Sequence, residues 1–207
     1  MIKVTDGVFQ LDTAHTSYLF EAKDGLLQQL YYGPRITLAD PAPLRAKTAA
    51  GYGCEVFYRP ALGTLALDSR PLECAPMGKG DFRRGMLSVE SAEGFTADLT
   101  YQGYTLAGAL PQLEGLPGPH GADGCLIVTL ADRRGLTVEL VYGVFEEADV
   151  ILRTVRVKNE TASPLTLLRA LSFQLDLPGS GWTLTTLDGA WARERMVTEH
   201  RLGPGAV

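Results

Sequence analysis

Apolar and polar residues alternate with a period of two through much of this chain, and that period predicts strands rather than helices. Residues 8–13, 17–22 and 26–32 read as three successive strands, and the Lys23-Asp24-Gly25 step between the last two carries the Asp-Gly signal of a tight hairpin. In residues 136–145 the even positions Leu136, Val138, Leu140, Tyr142 and Val144 are all apolar, whereas Thr137, Glu139 and Gly143 stand between them. That is the pattern of a half-buried strand. Residues 150–158 continue it, Asn159 to Pro164 turns the chain, and residues 165–177 return with Leu167, Leu171, Phe173, Leu175 and Leu177 on one parity. A short strand is expected at 65–68 and another at 182–187. No segment keeps helical periodicity beyond about three turns, so the expectation is an all-β fold of packed antiparallel sheets. At 207 residues the chain reads as a single domain, 1–207.

The pattern dissolves between residues 34 and 63. This stretch has Pro34, Pro41, Pro43 and Pro60 to interrupt a ladder, together with Glu55 and the aromatics Tyr52, Phe57 and Tyr58. Long loops of this kind are commonly functional, and contact-forming side chains distinguish it from a linker. The expectation is a loop poorly packed on its own domain and ordered by a partner.

Composition narrows the partners. A net charge of -5, from 19 basic and 24 acidic residues, argues against nucleic acid or an anionic membrane surface and favours a neutral ligand. Three cysteines without Cys-x-x-Cys spacing indicate neither a disulfide framework nor a zinc ribbon. With no apolar signal core at the N-terminus and no run of membrane-spanning length, the expected location is the cytoplasm.

Two stretches carry candidate chemistry. Asp188-Gly189-Ala190-Trp191-Ala192-Arg193-Glu194-Arg195, if extended, places Trp191, Arg193 and Arg195 on one face. An indole packs on the apolar face of a sugar and guanidinium groups donate to its hydroxyl rim; the plainer alternative is a core tryptophan with two structural cations. The second stretch, Gly78-Lys79-Gly80-Asp81-Phe82-Arg83, is a glycine-hinged turn that lacks the spacing of a phosphate cradle. His15, His120 and His200 are too scattered to form a metal motif, so neither metal nor cofactor is expected. Glu55, Asp68, Asp81 and Asp188 stand in or beside loops, but nothing in their spacing makes a catalytic pair.

With those residues in view the chain resembles the N-terminal domain of the glycoside hydrolase family 36 α-galactosidases. The resemblance runs in order from Leu30-Tyr31-Tyr32-Gly33 through Leu67-Asp68, Gly80-Asp81-Phe82-Arg83, Leu113-Glu114-Gly115-Leu116-Pro117 and Val150-Ile151-Leu152-Arg153 to Leu187 through Arg195. It implies a large antiparallel β-supersandwich, similar to galactose mutarotase, placed ahead of a catalytic (β/α)₈ barrel. That barrel would supply both catalytic aspartates for hydrolysis of terminal α-galactosides such as melibiose and raffinose, leaving no catalytic residue in residues 1–207. The resemblance further implies a homo-oligomer, a tetramer, in which Trp191 borders the substrate pocket. In it Glu55 contacts sugar hydroxyls from a neighbour's loop, and Asp81, Arg83, Arg193 and Arg195 support the interface or pocket. Two other classes stand beside this one: a stand-alone carbohydrate-binding, lectin-like module, and a self-contained mutarotase-like enzyme. The unclustered histidines argue against the last, because ring chemistry needs titrating groups in one cleft.

Overall fold

The computed structural model describes residues 1–47, 56–63, 65–92, 94 and 96–203. These fall into two compact units, Met1–Asp176 and Leu177–Val207.

In the first unit β1 (Ile2–Thr5), β2 (Val8–Asp12), β3 (Thr16–Lys23) and β4 (Leu26–Pro34) form one antiparallel sheet in sequential order. The Asp24-Gly25 turn joining β3 to β4 has φ of 56° and 78°, the left-handed pair that a two-residue hairpin needs. A second sheet is built from β6 (Thr100–Ala107), β7 (Gly124–Ala131), β8 (Leu136–Phe145) and β9 (Val150–Asn159), again in order and antiparallel. The expected parity of β8 holds: Leu136, Val138, Leu140, Tyr142 and Val144 are all buried. They meet Phe9, Leu11 and Phe20 of the first sheet in the main core, where Phe20 stacks on Phe9 at 4.8 Å and on Tyr142 at 5.1 Å. Interdigitated inner faces of this kind are what holds a sandwich together.

Three segments depart from the sequence expectations. Residues 65–68 make a bridge at Ala66 and then a 3₁₀ turn, Leu67–Ser69, because Leu67 is drawn into a satellite core with Leu26, Leu65, Leu72 and Ala75. The return after β9 is strand only over β10 (Thr166–Ala170), which pairs not with β9 but with β5 (Leu87–Glu90). A register shift between Leu167 and Arg169 breaks the alternation there, so Leu167, Leu171 and Phe173 are exposed while Leu165 and Leu175 pack on the core.

The third departure is the long loop. Its described residues are tethered to the domain by hydrogen bonds although none of those with a described side chain is buried, and Val56 and Phe57 are 46 % and 44 % exposed. Residues 35–45 cover polar groups on the first sheet: Gln10 donates to Ile36 O at 3.1 Å, Ile36 N donates to Ser17 Oγ, and Ser17 Oγ donates to buried Asp12. Arg45 grips the buried carboxylate of Glu21 through both Nε and Nη2, at 3.0 and 2.8 Å. Further on, Tyr58 packs against the satellite core and donates to Asp98. A sheet with buried polar groups on its second face must satisfy them locally, and this loop does so.

Asp132 shows how a turn is fixed by one carboxylate. It accepts from the backbone N–H groups of Asp98 at 2.7 Å and Arg134 at 2.8 Å, and from Arg134 Nε at 3.1 Å. Burial works to raise its pKa, but these hydrogen bonds outweigh burial and hold it below the ordinary carboxylate range. A depressed folded-state pKa means that the contribution is present above the unfolded-state value and is lost as pH falls through the folded one. Asp132→Asn is therefore expected to cost about 1.5–3 kcal/mol at pH 7. In urea titrations the gap between the two proteins should narrow steadily on acidification below the ordinary carboxylate range.

Candidate functional site

The second unit is a hairpin of β11 (Thr183–Ala190) and β12 (Arg193–Arg201). The candidate stretch lies at its tip, and it is not one extended strand. Trp191 and Ala192 make the reversal, Ala192 with φ of 59°, between the paired residues Ala190 and Arg193. A bulge follows at once, with Glu194 and Arg195 opposite Gly189 and Arg195 at φ 58°. The single face expected for Trp191, Arg193 and Arg195 is thus corrected, since a reversal and an inserted residue each reset the parity on which it rested. What remains is their location. Trp191 is 96 % exposed and both arginines are exposed beside it. Asp188 is occupied by an acceptor role toward Thr198 Oγ1, which lowers its pKa.

The second stretch is a rigid platform. Gly78, Lys79 and Gly80 all have positive φ, 110°, 58° and 80°, and Asp81 N closes the turn on Gly78 O at 3.1 Å. Glycine is required at Gly80 on two counts: the left-handed backbone, and a Cβ there would stand 2.5 Å from Val56 Cβ. Asp81 is buried and paired with Arg83 through Nε at 3.0 Å and Nη2 at 2.9 Å. Arg83 also donates to Leu67 O at 3.0 Å and to Asp176 at 3.3 Å. Phe82, between the two, is 76 % exposed. Asp81 and Arg83 therefore form an internal clamp that holds an outward-facing turn.

Glu55 lies outside the described residues. Asp81 and Asp68 both act on the Arg83 guanidinium, which removes Asp81 from any free acid–base pair. His15 stands 3.8 Å from Asp149, and no group of three metal-binding side chains forms among the described residues. A cavity of about 20 Å³ beneath Tyr58 and Lys79 has room for one water, not a sugar ring.

Sequence reasoning missed a buried network in the main core. Glu73 is fully buried and accepts from the hydroxyls of Tyr18 and Tyr142, with Arg153 Nη1 at 2.8 Å. Arg153 Nη2 donates to Glu73 O at 2.7 Å, and the guanidinium lies 5.3 Å from the Tyr142 ring centre. Burial, then the Glu73 charge, pushes the Tyr18 hydroxyl well above its ordinary range; burial likewise raises Tyr142. The adjacent Cys74 thiol is pushed up to about 12 by burial, so it stays protonated. A signal was available for half of this: Arg153 shares the parity of Ile151, Val155 and Val157, all of which pack on the core.

Over residues 25–207 the chain matches the family described as Glycosyl hydrolase family 36 N-terminal domain. It is 35 % identical over 196 residues to the probable alpha-galactosidase G of Aspergillus terreus, covering 90 % of this chain and 25 % of that protein. To the bifunctional alpha-galactosidase/sucrose kinase AgaSK of Mediterraneibacter gnavus it is 31 % identical, covering 97 % of this chain and 22 % of the relative. Among solved structures, the galactosidase domain of alpha-galactosidase-sucrose kinase AgaSK superposes with a TM-score of 0.88 at 30 % identity, over 98 % of this chain and 29 % of that one. The GH36 alpha-galactosidase AgaB from Geobacillus stearothermophilus gives 0.89 at 28 % identity, over 99 % and 29 %. The chain spans about a quarter of the length of these relatives.

Proposed function

The chain belongs to the glycosyl hydrolase family 36 N-terminal domains, and from that premise we propose that it is the non-catalytic N-terminal part of a longer α-galactosidase acting on terminal α-D-galactosides such as melibiose and raffinose. The observation that carries the reading is the family match across residues 25–207 together with relatives about four times as long that are α-galactosidases. The distribution of carboxylates is consistent with it. Retaining hydrolysis needs two carboxyl groups about 5–5.5 Å apart across the scissile bond, and Asp81 and Asp188 are committed to Arg83 and Thr198. The chemistry then belongs to a separate (β/α)₈ barrel.

In this reading Trp191 borders the substrate pocket, with Arg193 and Arg195 beside it and Glu55 contributing from a neighbouring subunit of a cytoplasmic homo-oligomer, a tetramer. An almost fully exposed indole supports the first part, because a large apolar ring turned to water on a lone hairpin gains nothing for the fold. In the complete enzyme, Trp191→Ala is expected to lower kcat/KM on a small α-galactoside roughly twofold to tenfold, the worth of one ring contact. Thermal stability should not change. Wild-type kinetics in that variant would remove Trp191 from the pocket.

A further inference from the structure

The connection from β6 to β7 is long for a pair of neighbouring strands: residues 108–123 lie between Ala107 and Cys125, which still face each other across the ladder. From 108 to 122 the only hydrogen bond among the described residues is an internal turn, Leu116 N to Leu113 O at 3.2 Å. The chain rejoins the sheet at Asp123, whose N–H donates to Val144 O at 2.8 Å. Packing in between is loose, since a Cβ on Gly108, Gly115 or Gly121 would meet no atom within 4 Å. Leu110 is the exception. It fills the space over Gly143 of β8, where a Cβ would lie 2.8 Å from Leu110 Cδ1. Gly143 is paired with Cys125, so the thiol shares that face, which is opposite to the core-facing Tyr142 and Val144. On this outer face Cys125 is 1 % exposed and Val141, two residues along from Gly143, is 0 % exposed, although neither belongs to the main core.

We propose that residues 108–122 are a detachable strap, anchored on the outer face of the second sheet by Leu110, whose release uncovers Cys125 while both sheets stay folded. A segment held by few apolar contacts and no ladder opens at lower free energy than the strands beneath it. β7 and β8 need not part for this, because their pairing runs unbroken from Gly124–Val144 to Ala131–Thr137. Burial raises the Cys125 thiol pKa. The closed form is therefore unreactive, and modification of this thiol reports the open one.

The test is alkylation of the complete protein by iodoacetamide under native conditions, followed thiol by thiol with peptide mass spectrometry. Cys74 lies in the main core and reports global unfolding in the same molecule. Cys125 is expected to react at least about tenfold faster than Cys74, at a rate that small additions of urea hardly change, because local opening exposes little surface. Leu110→Ala removes the anchor and leaves every strand as it is; it should speed reaction at Cys125 about tenfold and change Cys74 by less than about twofold. Gly143→Ala, whose new Cβ displaces Leu110 from the opposite side of the contact, should do the same. Equal rates with equal urea dependence at the two thiols, or a Cys125 rate unchanged in both variants, would overturn the proposal. So would reaction of Cys125 in the parent at the speed of an unprotected thiol, since the strap would then not close.

Discussion

Arg153→Met is expected to lower the unfolding free energy by about 3–5 kcal/mol, the cost of removing one partner from a buried ion pair. The size follows from where the charges sit. Glu73 is fully buried and the Arg153 side chain is 7 % exposed, so water cannot replace the lost guanidinium. The variant leaves a carboxylate between two tyrosine hydroxyls, and it also removes the donor to Glu73 O. The native pair is itself imperfect, since among the described residues Arg153 Nε finds no acceptor and Nη1, although 2.8 Å from Glu73 Oε1 as an ion pair, is not aligned to hydrogen-bond it. For that reason its removal as a unit should be much milder than its disruption. Adding Glu73→Gln to Arg153→Met takes away the stranded charge and keeps an oxygen for Tyr18 and Tyr142, and should restore about 1–3 kcal/mol. Equilibrium urea unfolding of the two variants and the parent measures both quantities. A double variant no more stable than Arg153→Met would show that packing, not charge, dominates the site.

That network also marks where legibility in the sequence ends. The period-two pattern was enough for β8, whose even positions all face the core, and for the Asp24-Gly25 hairpin, because both depend on local backbone geometry alone. It failed at residues 165–177 and 188–195, where a bulge or a reversal changes parity without a residue type that announces it. Ala192 and Arg195 take positive φ, which sequence logic reserves for glycine and asparagine. Glu73 was invisible for another reason. It lies in a connecting segment and meets Tyr18, Tyr142 and Arg153 across separations of 55 to 80 residues, and only tertiary structure sets such a meeting. In the long loop the prolines go with a segment that buries none of its described side chains, but composition gave no sign that its arginine and its backbone groups satisfy polar atoms buried on the first sheet.

Arg83→Met tests the platform beneath the exposed turn, and its expected cost is about 1.5–3 kcal/mol at pH 7, the value of charged hydrogen bonds withdrawn from a buried acceptor. The figure stays below that for Arg153 because the Arg83 side chain is 29 % exposed and solvent screens part of the pair. Loss of the guanidinium strands Asp81, frees Leu67 O, and removes the positive charge that opposes burial at Asp176. Burial already raises the Asp176 pKa, with Arg83 the main influence lowering it, so the variant should raise it further. A carboxyl group with a raised folded-state pKa favours folding below the unfolded-state value, and this contribution is lost as pH rises through the folded one. The deficit of Arg83→Met should accordingly grow from pH 4 to pH 7, the same direction as the deficit expected of Asp132→Asn. Arg83→Lys should recover only part of it, because one ammonium cannot span both Asp81 oxygens and still reach Leu67 O. If Arg83→Met is as stable as the parent across that range, the clamp contributes nothing to folding, and Arg83 would have to matter through a partner surface instead.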